Sequence, residues 1–407
     1  MIKPLRGMKD LIFEESERFE YIVKTASAVA KRYGYGYIET PILEETALFK
    51  RSVGDSSDIV TKEMYQFEDK GGNDVCMRPE GTAGVVRAFV SAKLDRQPVK
   101  QKFFYYGPMF RYERPQKGRL REFHQFGCES FGESSVYEDF TMIMMVSQIF
   151  ETLGIGYELL VNSLGCSECM PAYRESLVGY LNGIRESLCE DCNRRIETNP
   201  IRVLDCKNEK CRTLLQNSPK LISNLCESCE SDFTKLTKLL DDAGIGYRVD
   251  TNLVRGLDYY NKTAFEFVSN EIGAQSAIAG GGRYDRLVEF LDGKPTPAVG
   301  FAIGIERIMA LVKMPERKRE GYYMGAMTPE ATERIVMLAN RKRTLKKVTV
   351  EYASKGFKSH MKGVDKANAR FAVLIGEDEL ANDTVWIKDM QSKEEKVIAL
   401  SEFETPL

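Results

Sequence analysis

What this chain has little of narrows its chemistry first. It carries two histidines, His124 and His360, among 407 residues, which argues against a Ser-His-Asp relay and against a histidine-rich metal centre. No apolar run approaches the ~20 residues that a membrane-spanning helix requires. The first residues, MIKPLRGMKDLIF, have neither the apolar core nor the cleavage pattern of a secretory signal. A soluble, cytoplasmic protein with no membrane partner is therefore expected. An excess of one charge is missing too: 58 basic and 60 acidic residues leave a net charge of −2, so any RNA contact must come from local patches. No G-x-G-x-x-G or G-x-x-x-x-G-K-[ST] loop follows a strand, which removes the usual nucleotide cradles. Internal repeats and low-complexity tracts are absent.

Among the stretches that are present, RYERPQKGRLREFHQFGCESF, residues 111–131, says most. Five cations, Arg111, Arg114, Lys117, Arg119 and Arg121, fall within eleven residues around a turn at Gln116-Lys117-Gly118. Aromatic-rich segments, FFYYGPMF before and FHQF after, predict the two strands of an antiparallel hairpin. Guanidinium groups converging on its base and tip suit a polyanion, because they bond phosphate oxygens in forked pairs. A solvated, charged hairpin tip is the plainer alternative. Gln125 and Glu129 share one face of the second strand and alternate with Phe126, which suggests a polar pocket on an otherwise apolar strand.

The chain is too long for one core and long enough for two or three domains. Apolar spacing predicts a helix over 15–33, ended by Gly34, and a buried helix over 136–153. Strands are expected at 100–110, 122–131, 156–163, 263–268, 275–280 and 298–303, in a mainly antiparallel sheet rather than a doubly wound one. Residues 38–54, IETPILEETALFKRSVG, read as an edge strand interrupted by Pro41. From about 166 to 235 the chain turns polar and cysteine-rich, as an inserted subdomain would. KMPERKREG at 313–321 reads as a linker. Beyond it, 330–343, 347–352, 358–369, 371–376 and 383–388 alternate helix and strand, as in a small α/β domain.

Four further segments bear on chemistry. MRPEGT (77–82) sets Glu80 and Thr82 in a turn; it is a common surface turn, or a place where a buried carboxylate could hold an ammonium group. LVRGLDYYNKTAFEF (253–267) packs Arg255, Asp258, Tyr259 and Tyr260 just before a strand; phenols seek partners when buried, so a polar pocket competes with a surface loop. AGGGRYDR (279–286) is a glycine run that permits close backbone approach or merely turns. VGFAIGIERIMA (299–310) is a strand, a glycine turn and a helix start bearing Glu306 and Arg307, which could face a phosphate or simply pair with each other.

Together these residues carry a family resemblance. Residues 111–131 resemble motif 2 of the class II aminoacyl-tRNA synthetases in its histidyl-tRNA synthetase version, 38–54 resemble motif 1 and 299–310 motif 3. The 253–267 and 279–286 segments resemble the two histidine-specific motifs. All five stand in the family's order over roughly residues 1–315; the last 90 residues resemble its anticodon-binding domain more loosely, most clearly in MKGVDKANARFAVLIGEDE. The resemblance implies an α+β fold: the class II antiparallel sheet with flanking helices, a Cys-rich insertion and a C-terminal α/β anticodon-binding domain. The expected boundaries are catalytic core at 1–165 and 241–315, insertion at 166–240 and anticodon-binding domain at 320–407. It further implies ATP-dependent activation of L-histidine and transfer to the 3′ end of tRNA(His), with Mg²⁺ accompanying ATP, by a homodimer built around motif 1.

Carried onto this sequence, the resemblance puts Arg111 and Arg255 beside the α-phosphate, Arg307 with Arg119 or Arg121 near the outer phosphates, and Glu113 at adenine. Glu80, Thr82 and Gln125 hold the amino-acid backbone groups, Glu129 and Tyr260 meet the imidazole, and Tyr259 and Tyr284 line its pocket. Arg114 and Gln116 face the acceptor end of the tRNA. In the C-terminal region, RKRTLKK, Lys355, Lys358, Lys362, Lys366 and Arg370 are candidate phosphate contacts or a solvated face. The competing reading is a non-catalytic paralogue that regulates histidine biosynthesis or senses histidine or tRNA. Arg255 in its full motif and the C-terminal domain speak for the enzyme, since biosynthetic regulators commonly lack one or both.

Ten cysteines complete the inventory. Eight stand as Cys166-x-x-Cys169, Cys189-x-x-Cys192, Cys206-x₄-Cys211 and Cys226-x-x-Cys229. In a reducing compartment such pairs suit structural zinc better than disulfides, with reduced, partly buried thiols as the plain alternative. Spacing alone does not say which pairs share a metal, although Cys189/Cys192 with Cys206/Cys211 has a knuckle-like intervening length. Cys76 and Cys128 are unpaired and read as small core residues.

Overall fold

In the computed structural model the aromatic segments form two ten-residue strands, Gln101–Phe110 and Glu122–Phe131. They pair antiparallel from Gln101 opposite Phe131 to Phe110 opposite Glu122. The structure describes residues 2–54, 57–116, 118–206, 208–254, 259–272 and 277–404. An eight-stranded sheet grows from this hairpin in the order Gly36–Tyr37, Gln101–Phe110, Glu122–Phe131, Ala298–Gly304, Ala277–Arg283, Asn261–Val268, Glu158–Ser163, Tyr247–Val249. The two outermost pairings are parallel and all those between are antiparallel.

Alternation along the strands decides which side carries the core and which the chemistry. Phe104, Phe126 and Cys128 point to one face, where the helices Glu14–Arg32 and Val136–Leu153 bury Ile22, Ala26, Val29, Ile143, Val146 and Phe150 against them. Truncating a side chain such as Phe150 in this layer would cost about 3–5 kcal/mol. Tyr105 and Phe131 point to the opposite face, onto Val85, Val86 and Phe89 of the helix Thr82–Ser91 and onto Tyr259, Tyr284 and Leu287. The first helix carries Glu14, Glu15 and Glu17 in its first turn, favourable to its dipole, and the chain leaves it through Gly34 at φ +84°, a conformation glycine adopts without penalty.

Residues 38–54 depart from the edge-strand expectation. A short strand, Leu43–Glu45, joins a separate three-stranded sheet with Tyr65–Glu68 and Asp74–Met77, and Thr46–Val53 is a helix. Leu48, Phe49, Ser52 and Val53 recur at helical spacing and are buried, and that period wins over local strand propensity.

Between Glu158–Ser163 and Tyr247–Val249 the chain forms the helices Met170–Gly183, Glu190–Thr198, Glu209–Leu215 and Glu227–Asp242, with no strand among the described residues. Its own small core gathers Tyr173, Leu177, Leu181, Val203 and Leu215 with the paired cysteines. Contacts divide the chain into Met1–Met314 and Pro315–Leu407. The second unit is a five-stranded sheet in the order Val348–Glu351, Tyr322–Ala326, Phe371–Ile375, Thr384–Asp389, Glu395–Ala399, the first three parallel. Helices Thr332–Arg343 and Phe357–Lys366 accompany it. No helix among the described residues is long and apolar enough to cross a membrane.

Candidate active site

The polar face predicted for Glu122–Phe131 is present, and at its centre Glu129 is fully buried. Its carboxyl accepts hydrogen bonds from Thr82 Oγ1 (2.8 Å) and Tyr105 OH (3.2 Å) on one oxygen and from Tyr284 OH on the other. Burial pushes the Glu129 carboxyl up to about 8, against the opposing pull of these hydroxyls. Gly300, directly across the sheet from Glu129, makes the space: a Cβ there would collide with the Glu129 carboxylate and the Cys128 carbonyl. Gly81 and Gly127 similarly leave room for the Tyr105 ring.

Glu80 is also buried and begins the helix Thr82–Ser91, where its two oxygens accept from the backbone N–H groups of Thr82 (2.6 Å) and Ala83 (2.9 Å). Glu80 thus satisfies two of the free N–H groups in the first turn of this helix, and each oxygen retains a further acceptor position. Burial raises the Glu80 carboxyl above its ordinary range. Thr82 therefore links the two acids, donating its N–H to one and its hydroxyl to the other. Tyr259, Tyr260 and Tyr284 pack around them with ring centroids 4.7–6.2 Å apart. Among the described residues, the buried Tyr259 hydroxyl has no hydrogen-bond partner, nor has Gln125 Oε1. Unsatisfied buried polar atoms are costly, so both invite a polar ligand.

Next to this ring lies a cleft of about 220 Å³ lined by Arg111, Glu113, Arg119, Gln125, Glu266 and Arg307, together with residues 277–280. Arg111 is anchored by its Nε to the Pro79 carbonyl (2.9 Å) and lies over the Phe123 ring. Arg119 forms an ion pair with Glu113. Arg307 donates to the carbonyls of Ala277 (2.6 Å) and Gly118 (3.3 Å). Burial, with Arg119 and Arg111 nearby, lowers the Arg307 pKa from its ordinary value. Such an enclosure suits a polyphosphate. Glu306, also on the wall of this cleft, accepts from His124 at its backbone N–H (2.8 Å) and ring Nδ1 (2.7 Å).

Of the other residues singled out from sequence, Arg121 does not line this cleft; it donates to the Glu113 carbonyl (3.2 Å) and stacks on Tyr112. Arg114 and Gln116 are exposed on the hairpin connection. Arg255 and Asp258 lie outside the described residues. Tyr105, Glu266 and Gly300 escaped the sequence reading, because each is defined by its cross-strand neighbour. In the C-terminal unit, Lys358, Lys362 and Lys366 are exposed along one helix, whereas Lys342 is buried over Phe403 and Lys347, Lys355 and Arg370 are paired with Glu320, Glu351 and Asp389.

The paired cysteines converge as two groups of four, Cys166/Cys169/Cys226/Cys229 and Cys189/Cys192/Cys206/Cys211, with all sulfurs of a group within 4.8 Å of one another. Sγ separations of 3.8 Å (Cys166–Cys169), 3.7 Å (Cys166–Cys226) and 3.9 Å (Cys189–Cys206) far exceed a disulfide. They match the edge of about 3.8 Å expected for four sulfurs around a tetrahedral zinc at ~2.3 Å. Backbone N–H groups of Glu168 and Cys226 point at sulfurs of the first group, and those of Cys189 and Asn208 at sulfurs of the second. Cys76 and Cys128 are fully buried in the first unit, Met1–Met314.

Comparison with known proteins agrees with this geometry. Residues 7–173 and 195–308 match the family described as histidyl-tRNA synthetase, and residues 325–407 match the anticodon binding domain. The chain is 82% identical over 402 residues to the histidine–tRNA ligase of Sulfurovum sp. (strain NBC37-1), covering 99% of this chain and 100% of that one. It is 63% identical over 398 residues to the histidine–tRNA ligase of Sulfurimonas denitrificans, covering 98% and 99%. The crystal structure of apo S. aureus histidyl-tRNA synthetase superposes with a TM-score of 0.83 at 33% identity, covering all of both chains. With the two histidine-branch motifs, the buried acid ring and its neighbouring cation cleft on one sheet face, the chain belongs to the histidyl-tRNA synthetase family.

Proposed function

We infer that this chain is a histidine–tRNA ligase. Histidine's carboxylate attacks the α-phosphate of ATP, forming histidyl-adenylate and releasing pyrophosphate; a terminal ribose hydroxyl of tRNA(His) then takes the acyl group and AMP leaves. The observation that carries the reading is Glu129, a buried carboxyl ringed by three hydroxyls beside a cleft of three arginines. An acid at one imidazole nitrogen and a phenol, Tyr260, at the other select a ring that has both a donor and an acceptor, which isosteres without them fail. Glu80, Thr82 and Gln125 hold the ammonium and carboxylate of histidine, and Tyr259 and Tyr284 wall the ring. Arg111 and Arg255 stabilise charge at the α-phosphate, Arg307 and Arg119 bind the outer phosphates, and Glu113 meets adenine. Catalysis is then positioning and preorganised charge, and Mg²⁺ arrives with the nucleotide to offset its charge. Arg114 and Gln116 approach the tRNA acceptor end, and the exposed lysines of Phe357–Lys366 contact its anticodon region.

The protein works in the cytoplasm as a homodimer assembled through residues 38–54. Each cysteine quartet holds one structural Zn²⁺: four thiolates leave no open position for substrate, so the metal staples the insertion and takes no part in the chemistry. Histidine-dependent ATP–pyrophosphate exchange tests the assignment. Exchange with histidine and not with other amino acids is expected. Histidine and ATP binding without exchange would instead identify a non-catalytic paralogue that senses histidine or tRNA, or regulates histidine biosynthesis.

A further inference from the structure

The two cysteine quartets occupy different places in the fold. Cys189/Cys192/Cys206/Cys211 lies inside the insertion, around the helices Glu190–Thr198 and Glu209–Leu215. Cys166/Cys169/Cys226/Cys229 stands at its neck: Cys166 and Cys169 follow the strand Glu158–Ser163 where the chain leaves the sheet, and Cys226 and Cys229 begin the helix Glu227–Asp242 that carries it back. A metal at the neck therefore joins the two ends of a roughly sixty-residue excursion.

That neck is bonded directly to the histidine pocket. Leu164 N–H donates to the Lys262 carbonyl (2.6 Å) and Lys262 N–H to the Gly165 carbonyl (2.7 Å), so the residues just before Cys166 are laddered to the segment two residues after Tyr260. The Lys262 ammonium crosses to Asp232 (3.0 Å), one turn beyond Cys229 on the returning helix. Lys262 itself has φ +49°, a left-handed conformation that a non-glycine residue keeps only when its surroundings enforce it. Both arms of the neck thus hold this one residue, one by its backbone and one by its side chain. Leu164, Gly165, Cys166, Tyr259, Tyr260 and Lys262 share the wall of one cavity of about 500 Å³, and Tyr259 and Tyr260 pass their orientation to Tyr284 and so to Glu129.

We propose that zinc at Cys166, Cys169, Cys226 and Cys229 is a clamp that positions Tyr259 and Tyr260 in the histidine pocket, with Lys262 and Asp232 as the positioning residues that transmit it. The proposal rests on the reading of the quartets as zinc sites and adds to it a function for one of them. With the metal bound, four sulfurs fix the distance between the leaving and returning chain, and Lys262 is held in its unfavourable conformation. Without it the two arms are free to part, Lys262 relaxes, and the tyrosines lose their register against Glu129. Among the described residues, the cleft of Arg111, Arg119 and Arg307 shares no wall residue with the cavity at the neck, so these three arginines keep their places.

Zinc content and steady-state exchange kinetics on the full chain separate the two layers. The unaltered chain should carry about two equivalents of zinc, and Cys226→Ser/Cys229→Ser about one. The double variant should raise the KM for histidine about tenfold or more while leaving the KM for ATP within about twofold. Asp232→Asn, which touches no sulfur, should keep both zinc equivalents and shift the histidine KM in the same direction, with Asp232→Glu restoring it. Two zinc equivalents with an unchanged histidine KM in Asp232→Asn would overturn the clamp and leave the zinc reading intact. No zinc in the unaltered chain would overturn both. If the double cysteine variant fails to fold, Asp232→Asn alone decides.

Discussion

Glu129→Gln separates recognition from folding more cleanly than any other change in this site. In the empty pocket the Glu129 carboxyl titrates at about 8 because burial penalises its charge, so near neutral pH it is mostly the protonated acid. Glutamine is close to that acid in size and is likewise neutral. The fold should barely notice, with a melting temperature within about 3 °C of the parent near pH 7. Histidine should notice strongly. Its imidazole N–H loses a charge-assisted acceptor for a neutral one, worth about 1–2 kcal/mol. The new amide NH₂ must also face hydroxyls that now donate to carboxyl oxygens, Thr82 and Tyr105 on one side or Tyr284 on the other. Disturbing one such buried donor costs about 1–3 kcal/mol more. Together these predict a histidine dissociation constant raised roughly 30- to 4,000-fold. ATP affinity should stay within about twofold, since Glu129 is not among the residues lining the arginine cleft. Calorimetric titration of both ligands on one preparation is the assay. Equal losses for histidine and ATP, or a melting temperature lowered by more than about 5 °C, would show that Glu129 supports the fold rather than the ligand.

The same group sets a pH dependence. Its folded pKa of about 8 lies above the unfolded value of about 4.3, so the stability gained by holding the acid protonated is whole below ~4.3 and is lost as pH rises through about 8. Thermal melts from pH 6 to pH 9 should fall more steeply in the parent than in Glu129→Gln, and parallel curves would refute the shift. Gly300→Ala should abolish histidine activation and cost about 1–3 kcal/mol of stability by overpacking, because its Cβ collides with the Glu129 carboxylate and the Cys128 carbonyl; normal exchange activity would contradict the geometry. Arg307→Ala should raise the KM for ATP by about tenfold or more with histidine binding little changed, and an unaltered ATP KM would move the nucleotide out of this cleft. Arg255→Ala should slow adenylate formation by on the order of 10²–10³ and spare histidine affinity; an unchanged pre-steady-state rate constant would remove Arg255 from the mechanism.

How far the sequence reaches follows from the range of the interactions involved. The hairpin was legible because strand alternation is local: Phe104, Phe126 and Cys128 fall on the core side and Gln125 and Glu129 on the other by parity alone. The helices 15–33 and 136–153 were legible for the same reason and appear as Glu14–Arg32 and Val136–Leu153. Residues 38–54 misled because a short strand runs straight into a helix, and a few apolar residues there fit either period. Tyr105 stayed hidden because its meaning comes from Gly127 directly opposite and from Glu129 two residues further on, and a single strand does not state its partner's register. Gly300 is the sharpest case. In the sequence it is one more glycine in a strand, which normally weakens the strand; in the fold it faces Glu129 and is the reason a carboxylate can lie flat against the sheet. The cysteines extend the argument to longer range. Spacing alone marks each pair as a candidate half of a metal site, yet Cys166 and Cys226 are sixty residues apart, and only the returning helix says that they face one another. Local periods are thus readable from the chain, while the complementarity that turns polar residues into a binding site is written between strands and becomes visible once they are paired.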